Sequence, residues 1–205
     1  MRKQANSSMG FSLIEVLIVI TVAMVMMAIA VPSAMQAYRT YQLNSAASRV
    51  SGMLKYTRLD AIRENRQVNF LMQPVGGGPT MQVWTDEPTV AAPTGDGVMQ
   101  TSEKQTLLTS SATVVPLAGV PATGAIAAAV GVANLTAVPT VGGLPTLTFD
   151  GRGAMASPPM VPGVYAICIQ NTGLAAAGYR AVILMPSGSV QTWKSDAAGN
   201  WQRAN

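Results

Sequence analysis

Glu15 is a lone carboxylate inside a long apolar stretch, and few other residues in this chain have the type or spacing to do chemistry. The chain has 205 residues, 49% hydrophobic and 11% charged, with no histidine and a single cysteine, Cys168. An ordinary soluble domain carries about 25% charged residues. One cysteine and no histidine exclude the usual zinc and iron–sulfur sites, a disulfide framework and histidine acid–base catalysis. Gly76-Gly-Gly78 and Gly151-Arg-Gly153 lack the lysine, the hydroxyl residue and the spacing of a phosphate-binding loop, so they read as turns. Asp86 and Glu87 are adjacent and precede Pro88, which reads as a solvated loop rather than a paired-carboxylate or calcium site. Ser187 has no histidine partner. Cys168 alternates with apolar neighbours and reads as a buried, inert thiol. No catalytic constellation, cofactor set or metal set remains.

The element that holds Glu15 is apolar from Phe11 to Val31, and no charge lies between Glu15 and Arg39. About 20 such residues cross a bilayer as a helix. Arg2 and Lys3 precede it, and basic flanks stay on the cytoplasmic side. Three readings compete. A secretory signal peptide would use Ala28-Ile-Ala30 as its cleavage site, but the run is long for a signal core and Pro32 follows closely. A plain membrane anchor leaves Glu15 unexplained, at a cost of about 2.5–3.5 kcal/mol on an insertion scale. The third reading gives Glu15 a role.

Pro32 removes one backbone donor and is expected to kink or loosen the helix. Beyond it, Leu43, Ala46, Ala47, Val50, Met53, Leu54, Thr57, Ala61 and Ile62 recur at helical spacing, one apolar face of an amphipathic helix. A helix over residues 11–64 would span roughly 80 Å. Residues 39–66 hold six basic residues and two acidic ones, Asp60 and Glu64, whereas 67–205 hold five basic and six acidic. The basic face admits nucleic acid or anionic lipid. The alternative is a solvated face on which Asp60 and Glu64 pair locally, and this is the favoured reading.

After Asn65 the period changes to that of strands. Val68–Met72, Thr80–Thr85, Leu147–Phe149, Val164–Ile169, Tyr179–Met185 and Ser189–Lys194 are expected strands, with turns at Pro74–Pro79, Asp150–Gly153 and Pro186–Gly188. Residues 105–149 carry no charge at all. Pro116, Pro121, Pro139 and Pro145 argue against a second spanning helix there. The expectation is a short helix near Gly124–Asn134 inside a long, flexible, low-complexity insertion over about 86–146. Such an exposed apolar loop could pack on a neighbouring subunit.

The stretch Gly10-Phe-Ser-Leu-Ile-Glu-Val-Leu17 resembles the type IV prepilin signature: a basic leader, Gly, Phe, then Glu at the fifth position of the apolar helix. Ser45 to Val68, with Phe149-Asp-Gly-Arg-Gly153 and Leu184-Met-Pro-Ser-Gly188, is similar to the family grouping the secretion pseudopilin GspH with the minor pilin FimT. The likeness covers residues 10–72 and 147–194 and omits 86–146. It implies an α+β, type IV pilin-like fold, in which a long N-terminal helix packs on a small antiparallel β-sheet. The parts would be a cleaved leader (1–10), a membrane or filament-core helix (11–31), an amphipathic helix (32–66) and a β-rich domain (67–205).

The resemblance further implies cleavage between Gly10 and Phe11 by a prepilin peptidase and N-methylation of Phe11. The apolar helix would be kept, so the product is a subunit and not an enzyme. Cleavage exposes an amine on Phe11, and Glu15 can pair with the amine of the next subunit, since in hydrocarbon each unpaired charge is costly. The implied partners are other pilin or pseudopilin subunits, the peptidase and inner-membrane lipid. The N-terminus would be cytoplasmic and the C-terminal domain periplasmic. The expected function is a minor subunit of a type II secretion pseudopilus or type IV pilus, at the tip or in priming. The alternative is a DNA-binding minor pilin for DNA uptake. Members of that kind carry arginines beside the last hairpin glycine, whereas Gly188-Ser-Val-Gln191 has none. Arg180, Lys194 and Arg203 are then the candidate DNA contacts.

Overall fold

The computed structural model describes residues 12–75, 81–89, 92, 95–108, 112–156, 163–173 and 177–204. Gly10, Phe11, Thr80 and the Gly76-Gly-Gly78 turn lie outside these residues. Two compact units divide the chain, Met1–Tyr38 and Arg39–Asn205. Helix α1, Leu13–Glu64, belongs to both and runs through Pro32 without interruption.

In the first unit α1 is an apolar rod with Glu15 in its first turn. Thr21 returns its hydroxyl to the Leu17 carbonyl, 2.8 Å away, so even this polar side chain is satisfied within the helix.

In the second unit α1 turns amphipathic. Leu43, Ala46, Ala47, Val50, Met53, Leu54 and Ala61 are buried in one hydrophobic core. The core is closed by two sheets rather than the single small sheet expected. The first has the order β3-β2-β1-β7-β6, from β1 (Val68–Pro74), β2 (Met81–Asp86), β3 (Gln105–Leu107), β6 (Thr140–Val141) and β7 (Leu144–Phe149). The second has the order β11-β10-β9-β8-β4, from β4 (Ala112–Val115), β8 (Tyr165–Asn171), β9 (Tyr179–Leu184), β10 (Val190–Ser195) and β11 (Trp201–Arg203). Strand β5 (Thr136–Ala137) runs parallel to the start of β8, and β4 runs antiparallel to its end. The first sheet brings Phe70, Val83, Leu147 and Phe149 to the core, and the second brings Ile167, Ile169, Val182 and Leu184. Fully burying one side chain of this size contributes about 1.5–3 kcal/mol.

The insertion is not a flexible loop on its own. The short helix α2 occupies Thr123–Val130, within the span expected, and it buries Ile126 and Ala127. Its C-terminus is closed by Gly131 at φ 82°, whose N–H reaches the Ala127 and Ala128 carbonyls. With Val120, α2 covers a second apolar cluster formed by Ala166, Cys168, Ala181, Ile183 and Trp193 on the other face of the second sheet. That sheet is therefore buried on both faces, which is why β8 and β9 read as continuous apolar runs instead of alternating ones. Ile62 also departs from expectation. It is 42% exposed, while Asp60 and Ser51 join the buried face.

Three segments meet at the C-terminal end of α1. Arg58 Nε donates to the Gly153 carbonyl at 2.8 Å. Within the turn, the Arg152 and Ala154 N–H groups both reach Asp150 Oδ1 at 2.9 Å. The Met155 N–H reaches the Pro186 carbonyl at 3.1 Å, joining this turn to the β9–β10 hairpin. Gly188 sits at φ 76°, and a Cβ there would collide with the Gly153 carbonyl oxygen. Gly153, at φ 74°, has the Ile62 side chain in the place a Cβ would take. Gly188→Ala should therefore destabilise the chain by about 3 kcal/mol or more, from positive-φ strain plus backbone overlap. Arg152→Ala, an exposed side chain in the same turn, should change stability by less than about 0.5 kcal/mol. Urea unfolding of the two variants in detergent micelles, followed by near-UV circular dichroism, checks the contrast.

Candidate assembly and interaction surfaces

The first candidate surface is the apolar part of α1. An 18-residue window of it has mean hydropathy 2.8 and none of it is buried in the isolated chain. Leu13, Ile14, Met24, Met26 and Ile29 each expose more than half of their surface. Among the described residues this is the one helix long and apolar enough to cross a membrane. An apolar surface of this extent on a lone subunit needs lipid or protein against it. Glu15 lies within it, at the helix N-terminus, where the helix dipole favours a carboxylate.

The second candidate was the basic face of residues 39–66. Four of its arginines tie α1 to backbone carbonyls of the globular unit. Arg39 donates to Gly173, Arg49 to Leu107 at 2.7 Å, Arg58 to Gly153 at 2.8 Å and Arg66 to Pro88 at 2.7 Å. Arg63 instead pairs with Asp60 at 3.5 Å and Glu64 at 3.0 Å, the local pairing expected of the solvated reading. Hydrogen bonds from charged donors are worth roughly 1.5–3 kcal/mol when buried and less when exposed. No contact of this set could be read from spacing, because each carbonyl lies far away in sequence or in a loop.

The three candidate DNA contacts separate. Arg180 is buried, 6% exposed. Its Nε donates to Asn44 Oδ1 at 2.6 Å and its Nη1 to the carbonyls of Tyr179, Ala177 and Ser195. Burial pulls its pKa below the ordinary arginine value. It joins α1 to the second sheet and presents almost no surface to a phosphate backbone, a correction to the sequence reading. Lys194 and Arg203 are exposed on β10 and β11. Sequence reasoning missed Lys55, which is exposed on α1 and lines a cleft together with Arg203.

Asp86 was also misread, and Glu103 was missed. Asp86 is buried rather than solvated, 1% exposed, and accepts the N–H groups of Asp96 at 3.2 Å and Gly97 at 3.0 Å. Gly95, at φ 87°, is packed so closely that a Cβ would overlap the Asp86 carboxylate. Glu103 is buried and accepts the Glu87 N–H at 3.0 Å and the Gln100 N–H at 2.7 Å. The two carboxylates pin the loop between β2 and β3. The Gly95-Asp-Gly97 run was the available signal, since Asp and Gly concentrate where backbone N–H groups turn inward. Ser187 sits in a turn with its hydroxyl 3.2 Å from that of Ser189. Cys168 is 1% exposed and burial pushes its thiol up to about 12. No group of three or more acidic, cysteine or histidine side chains is placed to hold a metal among the described residues.

A membrane-length apolar helix that continues into the buried spine of a two-sheet β domain defines a pilin-like α+β subunit. The family model for "Type II transport protein GspH" matches residues 46–188, well over half of the chain. The chain belongs to the GspH family. Two crystal structures of the type IV minor pilin FimU from Pseudomonas aeruginosa (strain PAO1) are similar to it at 16% identity and a TM-score of 0.44. The likeness covers 80% of this chain and 98% or 94% of the FimU chain. No curated protein matches the chain at a significant level.

The buried carboxylates give the loop a pH dependence. Burial raises the pKa of Asp86 and of Glu103 above the ordinary carboxylate value, and the N–H groups they accept only partly offset this. The folded state therefore binds these protons more readily than the unfolded state. Stability should rise as pH falls from neutral through the raised values, and the gain is complete below the ordinary carboxylate range. Asp196 has its pKa lowered by Asn200, so its contribution changes only in more acidic solution. Between pH 7 and 5, thermal unfolding of the chain in micelles should shift to higher temperature. Glu103→Gln should flatten that slope. An unchanged slope in the variant would remove Glu103 as a cause.

Proposed function

We propose that this chain is a low-copy minor subunit that primes or caps a type II secretion pseudopilus or a type IV pilus. Its membership of the GspH family makes it a minor pilin or pseudopilin of secretion or pilus assembly. The observation that carries the finer reading is the apolar half of α1. It is long enough for a bilayer, unburied in the lone chain, and interrupted by one charge near its start. Before assembly this segment would reside in the inner membrane as a single span, with the N-terminus cytoplasmic and the β domain periplasmic. A prepilin peptidase would cut between Gly10 and Phe11, and Phe11 would be N-methylated.

Glu15 then acts through electrostatics. Alone in hydrocarbon its carboxylate is unfavourable, and it becomes much less so beside the cationic Phe11 amine of a neighbouring subunit. Only one axial stagger brings these two groups together, so the pair would select that stagger. The reading as a DNA-uptake subunit is supported by the exposed cations Lys194 and Arg203, and the burial of Arg180 weakens it.

In cells, Glu15→Gln should be processed like the parent chain and should be lost from sheared filament fractions. Normal incorporation of that variant would count against the pairing. Gel-shift titration of the detergent-solubilised chain at low and moderate salt separates the second reading. Micromolar, salt-sensitive DNA binding that falls in Lys194→Ala and Arg203→Ala would favour uptake, and no binding favours the structural role.

A further inference from the structure

Arg180 and Lys194 stand directly opposite each other on β9 and β10. Cross-strand partners share one face of the sheet, and like charges so placed are destabilising. Neither residue forms an ion pair among the described residues. Arg180 is buried against neutral acceptors alone, the Asn44 side chain and three carbonyls. Lys194 is exposed and makes no side-chain hydrogen bond among the described residues. A buried cation without a counter-charge is unfavourable, and a second cation beside it adds to the cost.

Both residues line one cleft of about 350 Å³. Gln202, opposite Lys194 on β11, and Asn200 add amide groups to it. Its one carboxylate, Asp196, serves its own turn. Oδ1 accepts the Asn200 N–H at 2.9 Å, and Oδ2 accepts the Asn200 amide at 2.6 Å. Two cations against one carboxylate leave the lining net positive.

The position of the cleft along α1 selects the anion. Its α1 wall is Thr40. Thr40 lies two residues past Tyr38, where the uncharged run ends, which is about 3 Å of helix rise. Tyr38 and Tyr41 are exposed on either side of it. Tyrosine concentrates at membrane–water interfaces, where its ring meets apolar chains and its hydroxyl meets water.

We propose that this cleft holds the headgroup of an anionic phosphoglyceride, from the leaflet that the β domain faces. The phosphate meets the Lys194 ammonium, with the Asn200 and Gln202 amides as further donors. Arg180 supplies a second positive charge from the floor, where the low dielectric strengthens its field. One phosphate between the two cations relieves their repulsion. A nucleic acid fits less well, because a single cation pair supports few phosphate contacts. The inference rests on the membrane residence proposed above.

The test begins with flotation of the full chain on phosphatidylcholine liposomes, which checks the membrane reading alone. Native mass spectrometry of the chain, released from micelles holding equal phosphatidylcholine and phosphatidylglycerol, then reads the headgroup. One phosphatidylglycerol should be retained at least about fivefold more often than phosphatidylcholine, whose ammonium offsets its phosphate. The preference should fall as salt is raised from about 50 to 300 mM. Lys194→Glu and Gln202→Glu, both at exposed positions, should abolish it while keeping the parent circular dichroism spectrum, and Lys194→Arg should retain it. Arg152→Glu, an equal change of charge on a turn that does not line the cleft, should also retain it. Flotation without a preference overturns the inference and leaves the membrane reading standing, whereas failure to float overturns both. The inference is also overturned if Arg152→Glu removes the preference as fully as Lys194→Glu. Displacement of the lipid by glycerol phosphate, or by single-stranded DNA at the same phosphate concentration, overturns it too, since the site then takes a free phosphate ester or a nucleic acid.

Discussion

The globular unit depends on where α1 sits against two sheets at once, and Arg58 marks that position. Its guanidinium holds the turn after β7, and that turn receives the β9–β10 hairpin through Gly188. A shift of α1 along its axis would break this contact and would also move Arg39, Arg49 and Arg66 off their carbonyls. The apolar face supplies most of the free energy, but hydrophobic burial is non-directional and tolerates sliding. The arginines carry the directional part. Asn44 and Arg180 add one more crosslink between helix and sheet. This is why so many basic residues lie on one helix and so few of their charges remain for a ligand.

The scarcity of charge in the chain then has two physical origins. One is the apolar rod before Arg39, which the isolated subunit leaves uncovered. The other is the charge-free run at 105–149. In sequence it resembles a loop without a partner. In the fold it supplies β4 and β5 to the second sheet itself, and α2, which with Val120 covers the outer face of that sheet through Ile126. A charged residue at a covered position there would be buried without a partner, which is strongly unfavourable. The part of the run around Val120 and α2 therefore acts as a third layer over the sheet, and the low charge there follows from that position.

Much of this was legible before the structure. Helical spacing marked eight of the nine core-facing α1 residues named from sequence, and Ile62 missed because it lies at the margin of the stripe. The six expected strands were found, since each combines β-forming residues with a flanking turn. The strands that were missed, β3, β4, β5, β6 and β11, have between two and four residues each, too short for any period to declare itself. Side-chain roles were less legible. Arg180 looked like a surface cation, because nothing in its neighbourhood announces Asn44, 136 positions away. Asp86 looked solvated, and Glu103 drew no notice, because they accept mainly backbone N–H groups, which every residue but proline carries.

The first unit obeys a different physics from the second. The apolar window of its described helix is unburied in the lone chain, so the helix is stabilised by backbone hydrogen bonds and by whatever medium surrounds it. A bilayer and a bundle of identical apolar helices are nearly equivalent media for leucine and valine, since lipid tails are as apolar as those side chains. Hydrophobicity alone therefore gives little preference between membrane and filament. A single carboxylate breaks that equivalence. On the function proposed above, the bundle offers Glu15 a cation at a fixed height and the bilayer offers none. Because the rest of the rod is indifferent, a difference of a few kcal/mol at this one position would be enough to give assembly both a direction and a register.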